Sequence, residues 1–269
     1  MDKRPIGIFD SGVGGMTVLA ELKQHFPNED LIYLGDTKNF PYGDKSKENI
    51  IKLSTKCASY LISKDVKLII IACGTATSQA LEELKKIYRL PIEGIISATI
   101  ENIKKNQNNN LKIGVIATEG TIKSNKWEEE LKKEIENVEV INKACPLLAP
   151  MAEQGWTSNA VAKEAIKEYM KPFKERKIDK IVLGCTHYPL FESLIRQELG
   201  NEIEIINTGE KIANYLENYL TIENLQNEKE HVGTCSYYLT DTECNFIQVA
   251  SRLLQDENIK DCIEKVNIE

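Results

Sequence analysis

Short apolar segments rich in β-branched residues alternate with longer segments of helical periodicity, and this alternation constrains the fold most. Residues 66–72 are mainly apolar, as expected for a strand covered by helices on both faces. The segment before them places Leu53, Cys57 and Leu61 at helical spacing on one face. We therefore predict an α/β fold with mainly parallel sheets. The other predicted strands are residues 5–10, 31–36, 92–95, 111–117, 138–141, 178–184 and 203–207.

A weak internal repeat indicates two similar lobes. The opening segment "RPIGIFDSGVGG" (residues 4–15) has a counterpart in "LKIGVIATEGTIKS" (residues 111–124), which follows a polar stretch at residues 104–110. In each half a later predicted strand leads into a cysteine, Cys73 in the first half and Cys185 in the second. We expect each lobe to be a mainly parallel sheet flanked by helices.

The C-terminal stretch lacks a third strand that ends in a cysteine. It offers a helix at residues 208–220, a polar loop, a strand at 232–239 and a further helix. We expect it to complete the first lobe, which then comprises residues 1–97 and 208–269. Residues 98–207 form the second lobe in this prediction.

Composition narrows the function classes. The 269 residues carry 34 basic and 41 acidic side chains, a formal charge of −7 without any marked Lys/Arg cluster, so nucleic acid is not an expected partner. No apolar run approaches the roughly 20 residues of a membrane span, and the start shows no secretory signal. The seven cysteines contain no CxxC pair and the three histidines are scattered, which argues against structural zinc. We expect a cytoplasmic protein with reduced thiols.

Cys73 and Cys185 differ from the other cysteines. Each follows a strand, near a helix start and beside a threonine, Thr75 or Thr186. Such a position is expected to lower the pKa of a thiol from about 8.5 toward neutrality. For the remaining thiols we predict structural packing; they are Cys57, Cys145, Cys235, Cys244 and Cys262.

Two loops at predicted strand ends are candidate ligand contacts. "DSGVGG" (residues 10–15) combines a carboxylate, a hydroxyl and glycines, but it does not have the GxGxxG spacing of a dinucleotide site. The alternative to a ligand site is a tight strand–helix turn that is capped by Ser11 or Asp10. If the loop binds a ligand, a small carboxylate fits better than a nucleotide. "GDTKNFPYG" (residues 35–43) is turn-forming, with Gly43 expected to permit a positive φ, and its length also suits a substrate-contacting lid.

Two thiols in matching positions allow three uses. The first is a redox pair, but Cys73 and Cys185 do not have the CxxC spacing that is typical of such pairs. Cys185 could act as a nucleophile with His187 as its base, although residues two apart are expected to face awkwardly and Cys73 is then unexplained. Acid–base catalysis of stereoinversion uses both thiols, one removing a proton from a carbon while the other donates to the opposite face.

The ordered motifs "GIFDSGVGG", "GDT…PYG", "AC-x-TA", "GVIAT…T" and "LGCTHYPL" resemble those of glutamate racemases, in the cofactor-independent aspartate/glutamate racemase family. The resemblance implies two facing α/β lobes with the active site between them, no cofactor or metal, a homodimer, and L- and D-glutamate as substrates. It implies Cys73 and Cys185 as the catalytic acid–bases, with Asp10 assisting the first, and Glu153 and His187 the second. The implied substrate contacts are Asp10, Ser11, Tyr42, Gly43, Gly74, Thr75, Thr186 and His187.

Gly74 departs from the family, which usually has asparagine after the first cysteine. Loss of that amide is expected to weaken substrate affinity, so Gly74→Asn should lower KM; the alternative is that glycine provides a turn with positive φ. Three other functions stay open. They are a racemase of aspartate or another small acidic amino acid, a Cys–His hydrolase, and an amino-acid-binding protein without catalysis.

Overall fold

The computed structural model of the chain describes residues 1–105, 110–228, 230–242, 246–254 and 259–268. Within them, ten strands form two entirely parallel sheets flanked by helices, which confirms the α/β prediction. The strands are β1 (Ile6–Asp10), β2 (Leu31–Gly35), β3 (Leu68–Ile71), β4 (Ile92–Gly94), β5 (Lys112–Ala117), β6 (Glu139–Ala144), β7 (Lys180–Leu183), β8 (Glu204–Asn207), β9 (Cys235–Leu239) and β10 (Ile263–Lys265).

Helices follow most strands and cover both faces of each sheet. The α-helices are α1 (Met16–His25), α2 (Lys47–Ser63), α3 (Gly74–Ile87), α4 (Ile95–Lys105), α5 (Glu119–Lys123), α6 (Lys126–Glu134), α7 (Leu148–Glu153), α8 (Ala160–Arg176), α9 (Glu192–Leu199), α10 (Thr208–Ile222) and α11 (Phe246–Leu254). Among the residues described, no helix is long and apolar enough to cross a membrane.

The two sheets repeat one topology. The first has the strand order β10-β9-β2-β1-β3-β4 and the second β6-β5-β7-β8, so β1 to β4 correspond to β5 to β8. The register agrees, because Phe9 pairs with Ile71 in the first sheet and Ile116 pairs with Leu183 in the second. The expected similarity of the two lobes is confirmed at this level.

The C-terminal strands β9 and β10 extend the first sheet beyond β2. The sequence analysis had assigned the C-terminal stretch to the lobe that contains this sheet. The sequence did not predict β10, whose three residues are too few to show a pattern. The prediction for β6 was three residues too short at its C-terminal end, since the strand continues into "NKA". The proposed division at residues 97 and 98 falls inside α4, and the lobe boundaries stay a prediction.

The lobes share a core. Ile96 on α4, Ile212 and Leu216 on α10 and Val18 on α1 belong to one apolar cluster that also contains Val115 of the second sheet. Two further clusters lie within single lobes and hold the outer helices against their sheets. The loops at the strand ends are thereby attached to well-packed elements of both sheets.

The structure places the cysteines predicted to be structural in different settings. Cys57 and Cys145 are fully buried and Cys235 is half-buried, as packing residues should be. Cys262 is exposed, so the packing prediction was wrong there, because the short segment before β10 lies at the surface. Cys244 lies outside the described residues.

Candidate active site

Cys73 and Cys185 lie at the carboxyl ends of the corresponding strands β3 and β7. Each thiol comes two residues after a paired strand residue, Ile71 or Leu183. They are 5% and 6% exposed and line one narrow cavity of about 20 Å³, room for about one water molecule. The repeat in the sequence therefore brings the two thiols to a common site.

Most of the predicted site residues meet at this cavity. Asp10 and Glu153 do not line it but hydrogen-bond to residues that do. The predicted residues in the lining are Ser11, Tyr42, Gly43, Cys73, Gly74, Thr75, Cys185, Thr186 and His187. Sequence reasoning missed four others, which are Phe40, Pro41, Thr118 and Ala149.

Cys73 caps the N-terminus of α3. Its Sγ accepts a hydrogen bond from Ala76 N at 3.5 Å and donates one to Ser11 Oγ at 3.7 Å. Burial raises the pKa of Cys73 to about 12, and the negative charge of Asp10 acts in the same direction. The expected lowering of this pKa was wrong, because desolvation and a nearby carboxylate outweigh the helix start. Cys73 is a protonated thiol at neutral pH.

Cys185 contacts an imidazole that is itself held by a carboxylate. Its Sγ lies 3.8 Å from His187 Nδ1, and His187 Nε2 lies 2.8 Å from Glu153 Oε1. Burial acts to lower the pKa of His187, but its hydrogen bonds to Cys185 and Glu153 prevail and raise it to about 10. A protonated His187 places a positive charge next to the Cys185 sulfur. The expectation that residues two apart face awkwardly was wrong, since the turn before a short 3₁₀-helix (Tyr188–Phe191) turns them together.

Asp10 connects the first lobe to the loop after β7. Its Oδ2 accepts a hydrogen bond from Gly12 N at 3.0 Å and its Oδ1 one from Thr186 Oγ1 at 3.2 Å. The side chain is fully buried, and this desolvation raises the pKa of Asp10. Ser11 is the hydrogen-bond partner of Cys73, whereas Asp10 acts on that thiol through its charge.

The loop from Asp36 to Gly43 forms one wall of the cavity. Tyr42 turns its hydroxyl away from the cavity and donates it to buried Asp36 Oδ2 at 2.6 Å. The carbonyl oxygen of Gly43 accepts a hydrogen bond from Gly120 N of the second lobe at 3.0 Å, which connects this loop to that lobe. Gly43 does not have a positive φ, so the turn explanation for this glycine was wrong. A Cβ there would lie 2.8 Å from Thr118 Cβ, so close packing requires the glycine.

Thr118 joins the site from the second lobe. Its Oγ1 lies 2.8 Å from Thr75 Oγ1 and 2.9 Å from Thr121 Oγ1, so the three hydroxyls form one hydrogen-bonded group. Thr75 and Thr118 of this group line the cavity. Thr118 follows β5 as Ser11 follows β1. The internal repeat could have identified Thr118, because the residue after β5 corresponds to Ser11, the residue after β1.

Gly74 lies against the loop after β7 of the second lobe. A Cβ on Gly74 would come within 2.2 Å of the backbone oxygen of Gly184. Its φ is not positive, so the turn explanation was wrong here as well. The absent side chain lets the loop after β3 contact the loop after β7.

The site offers acid–base groups rather than a metal-binding set. Within the described ranges, no three His, Cys, Asp or Glu side chains gather in a way that could hold a metal ion. What the geometry provides is one protonated thiol, one thiol beside a cationic imidazole, and hydroxyl groups between them.

Comparisons with known proteins agree with this arrangement. The family model for Asp/Glu/hydantoin racemases matches residues 16–216. Glutamate racemases of Geobacter metallireducens and a Sulfurihydrogenibium species are 39% and 42% identical over 254 and 253 residues, covering 94% of this chain and of each relative. The structure of the Francisella tularensis glutamate racemase in complex with D-glutamate has a TM-score of 0.91 at 34% identity, covering 100% of this chain and 99% of that one. A Bacillus anthracis glutamate racemase has a TM-score of 0.93 at 31% identity, covering 99% of this chain and 98% of that one.

The two α/β lobes are thus shared with solved glutamate racemases, and the chain belongs to the Asp/Glu/hydantoin racemase family. It is an isomerase that racemises an amino acid.

Proposed function

We propose that this protein interconverts L- and D-glutamate by two-base proton transfer. The observation that carries the proposal is the pair of buried thiols, Cys73 and Cys185, at corresponding strand ends around one cavity. The names of the relatives support glutamate as the substrate, and the resemblance of the motifs supports a reaction without cofactor.

The two thiols take opposite roles in this reaction. Cys185, beside protonated His187, acts as the base and removes the α-proton of L-glutamate. The Cys73 thiol then donates its proton to the opposite face of the α-carbon, and D-glutamate results. One C–H bond breaks and one forms, and the reverse direction uses Cys73 as the base. In that reverse direction Cys73 must first lose its proton, and its pKa of about 12 shows that the free protein holds this proton firmly.

The α-proton of an amino acid is a very weak acid, so the site must stabilise the carbanion-like state. A dry cavity strengthens every hydrogen bond offered to the substrate carboxylates. The hydroxyls of Ser11, Thr75 and Thr118 line the cavity and are the donors in this proposal, whereas Thr186 donates its hydroxyl to Asp10. Asp10 and Glu153 position Thr186 and His187 in this mechanism. With about 20 Å³ in the cavity, the lobes must separate for glutamate to enter.

The biological setting follows from the same resemblance. We propose that the product D-glutamate supplies peptidoglycan synthesis, that the enzyme is a cytoplasmic homodimer, and that its lobes comprise residues 1–97 with 208–269 and residues 98–207.

The test is racemisation by single-cysteine variants. Circular dichroism of L-glutamate incubated with the protein, without pyridoxal phosphate, should show loss of optical activity. Cys73→Ala and Cys185→Ala should each reduce turnover at least ~10³-fold, since each removes a proton-transfer group. The exposed thiol variant Cys262→Ala is the matched control and should retain full activity. Substantial racemisation by Cys73→Ala would exclude the two-base mechanism.

The same variants distinguish the competing functions. The Cys185–His187–Glu153 contacts also suit a cysteine hydrolase, which would retain activity in Cys73→Ala. A binding protein would not exchange the α-proton of glutamate for solvent deuterium. A higher kcat/KM for L-aspartate than for L-glutamate would identify an aspartate racemase instead.

A further inference from the structure

A pocket of about 330 Å³ lies between the lobes, next to the much smaller catalytic cavity. Residues of both lobes line it, Ser78 and Gln79 on α3 of the first and Gly120 and Lys123 on α5 of the second. The catalytic cavity, with about 20 Å³, has no room for an amino acid. A substrate must therefore pass from a larger space into the cavity while the lobes are apart.

The pocket and the catalytic cavity meet at two hydrogen-bonded glycines. Gly43 lines the cavity and Gly120 lines the pocket, and Gly120 N donates to Gly43 O at 3.0 Å. Gln79 Nε2 donates to Gly120 O at 3.1 Å, so the first lobe holds both polar groups of this glycine. A Cβ on Gly120 would lie 2.7 Å from Gly43 O, which shows how closely the two segments pack. The barrier between the two spaces is thin and is made by hydrogen bonds between the lobes.

The contacts at this edge of the cleft are polar. Thr75 Oγ1 lies 2.8 Å from Thr118 Oγ1, and neither these threonines nor Gly43, Gln79 and Gly120 belong to an apolar cluster. Water replaces such hydrogen bonds when the lobes separate, so breaking them costs little net free energy. The apolar core shared by α1, α4 and α10 has no such replacement and keeps the lobes together. The polar edge is thus the one that opens at low cost.

Lysines give the pocket a positive charge in a chain whose net charge is −7. Lys45, Lys47 and Lys123 line it, and no acidic side chain is among the described residues of its lining. Lys123 pairs with Glu119 at 2.7 Å. Neither Lys45 nor Lys47 makes an ion pair with any residue that the structure describes. Such a lining attracts a ligand that carries carboxylates.

We propose that this pocket is the entrance through which an acidic amino acid reaches the catalytic cavity, and that the hydrogen bond from Gln79 to Gly120 is the latch that keeps the entrance closed. The identity of the ligand rests on the proposed function, whereas opening at this edge does not. The latch stabilises the closed free protein and the closed complex alike. It therefore changes how fast the ligand enters and leaves but not how tightly it is bound.

Opening is tested by alkylation of Cys185, which requires no substrate. This thiol is 6% exposed, so iodoacetamide reaches it only while the entrance is open. Gln79→Ala should speed its alkylation about threefold or more, measured by mass spectrometry, since one neutral hydrogen bond changes such an equilibrium roughly two- to tenfold. Gln226→Ala is the matched control, because it removes a glutamine amide bond to Thr221 within one lobe, and it should label like wild type.

Cys57 is the internal reference for global unfolding, because it is fully buried in an apolar cluster of the first lobe. It should stay unlabelled in every variant. If Gln79→Ala exposes it, Gln79→Met, which keeps the length of the side chain without the amide, replaces that variant. Equal rates at Cys185 in wild type and the Gln79 variant, or an equal increase in Gln226→Ala, would overturn the latch.

The position of the entrance is tested by charge. Iodoacetate and iodoacetamide have nearly the same size, but only iodoacetate carries a carboxylate. At low ionic strength the ratio of their rates at Cys185 should fall at least threefold in Lys45→Gln/Lys47→Gln, because the surroundings of the thiol itself are unchanged. Lys163→Gln/Lys167→Gln, an exposed pair on α8, should keep the wild-type ratio. An unchanged ratio in the first pair would place the entrance at another edge of the cleft.

Passage of the substrate is tested by stopped-flow binding of D-glutamate. Trp156→Phe leaves Trp127, close to Gly184 at the end of β7, as the single fluorescent indole. In this background Gln79→Ala should raise the association and dissociation rates together and leave Kd within twofold. A weaker Kd at an unchanged association rate would make Gln79 a substrate contact and overturn the latch. If D-glutamate does not bind, the proposed function fails, and the alkylation rates still decide where the protein opens.

Discussion

At the scale of single residues, the two thiols occupy matching backbone positions but unlike surroundings. Cys73 contacts a neutral hydroxyl, Ser11, and lies near a buried carboxylate, so it holds its proton. Cys185 contacts His187, whose raised pKa makes it a cation at neutral pH. In the proposed mechanism Cys185 accepts the α-proton of L-glutamate beside this cation, and the opposite direction requires Cys73 to lose its proton.

Gly74 gives the residue-scale prediction. Because a Cβ there would meet Gly184 O at 2.2 Å, Gly74→Ala should hinder closure of the lobes. Overpacking typically costs about 1–3 kcal/mol, so KM for glutamate should rise by roughly tenfold or more. Gly74→Asn is the matched variant, with the same Cβ and an added amide, and steady-state kinetics of both separate the two effects. A lower KM in Gly74→Asn than in wild type would favour the hydrogen-bond expectation over the steric one.

At the scale of elements, the loop after β2 is anchored by a buried carboxyl group, Asp36, that does not itself line the cavity. Asp36 gathers Asn39, Tyr42 and Thr240, and so ties β2 and β9 to the cavity wall. The sequence showed a long turn-forming loop but not this anchor. Thr240 lies some two hundred residues away in sequence, and only the pairing of β2 with β9 brings it near.

Asp36→Asn should therefore loosen the cavity wall. A hydrogen bond to a charged group is worth ~1.5–3 kcal/mol, so KM should rise by about tenfold or more while α-proton exchange persists. Asp30→Asn is the matched control at the other end of β2, where Asp30 accepts from Thr234 and contacts His231. Steady-state kinetics should show a raised KM for Asp36→Asn and little change in KM for Asp30→Asn. Equal changes in KM would mean that Asp36 only supports folding.

At the scale of the whole molecule, hydrogen bonds across the cleft hold the lobes together. Thr17 Oγ1 donates to Thr186 O at 2.9 Å, and Val13 N donates to Glu153 Oε1 at 3.1 Å. The same Glu153 oxygen contacts His187. The contact that holds His187 and a contact between the lobes thus share one carboxylate, Glu153.

This sharing predicts a pH-dependent stability. The pKa of folded His187 is about 10 against 6.5 for the ordinary side chain, so its stabilisation is complete below pH 6.5 and is lost as pH rises toward 10. The difference in melting temperature between wild type and His187→Gln should therefore be several degrees near pH 6 and shrink by pH 10. Calorimetric scans at several pH values measure it, and a constant difference would contradict the proposed ion pair. His231→Gln, at a more exposed ion pair with Asp30, is the control.

The sequence by itself determined the α/β class, the two-lobe repeat and the residues in the lining that lie close to Cys73 and Cys185. Those features depend on local patterns, since strands, turns and motifs are short and their periodicity is visible along the chain. The tertiary structure decided the protonation of Cys73, the contact between Cys185 and His187, the steric need for Gly74 and the place of Thr118. Each of these depends on burial or on groups from the other lobe, and the distances between such groups are fixed only when the two sheets pack together.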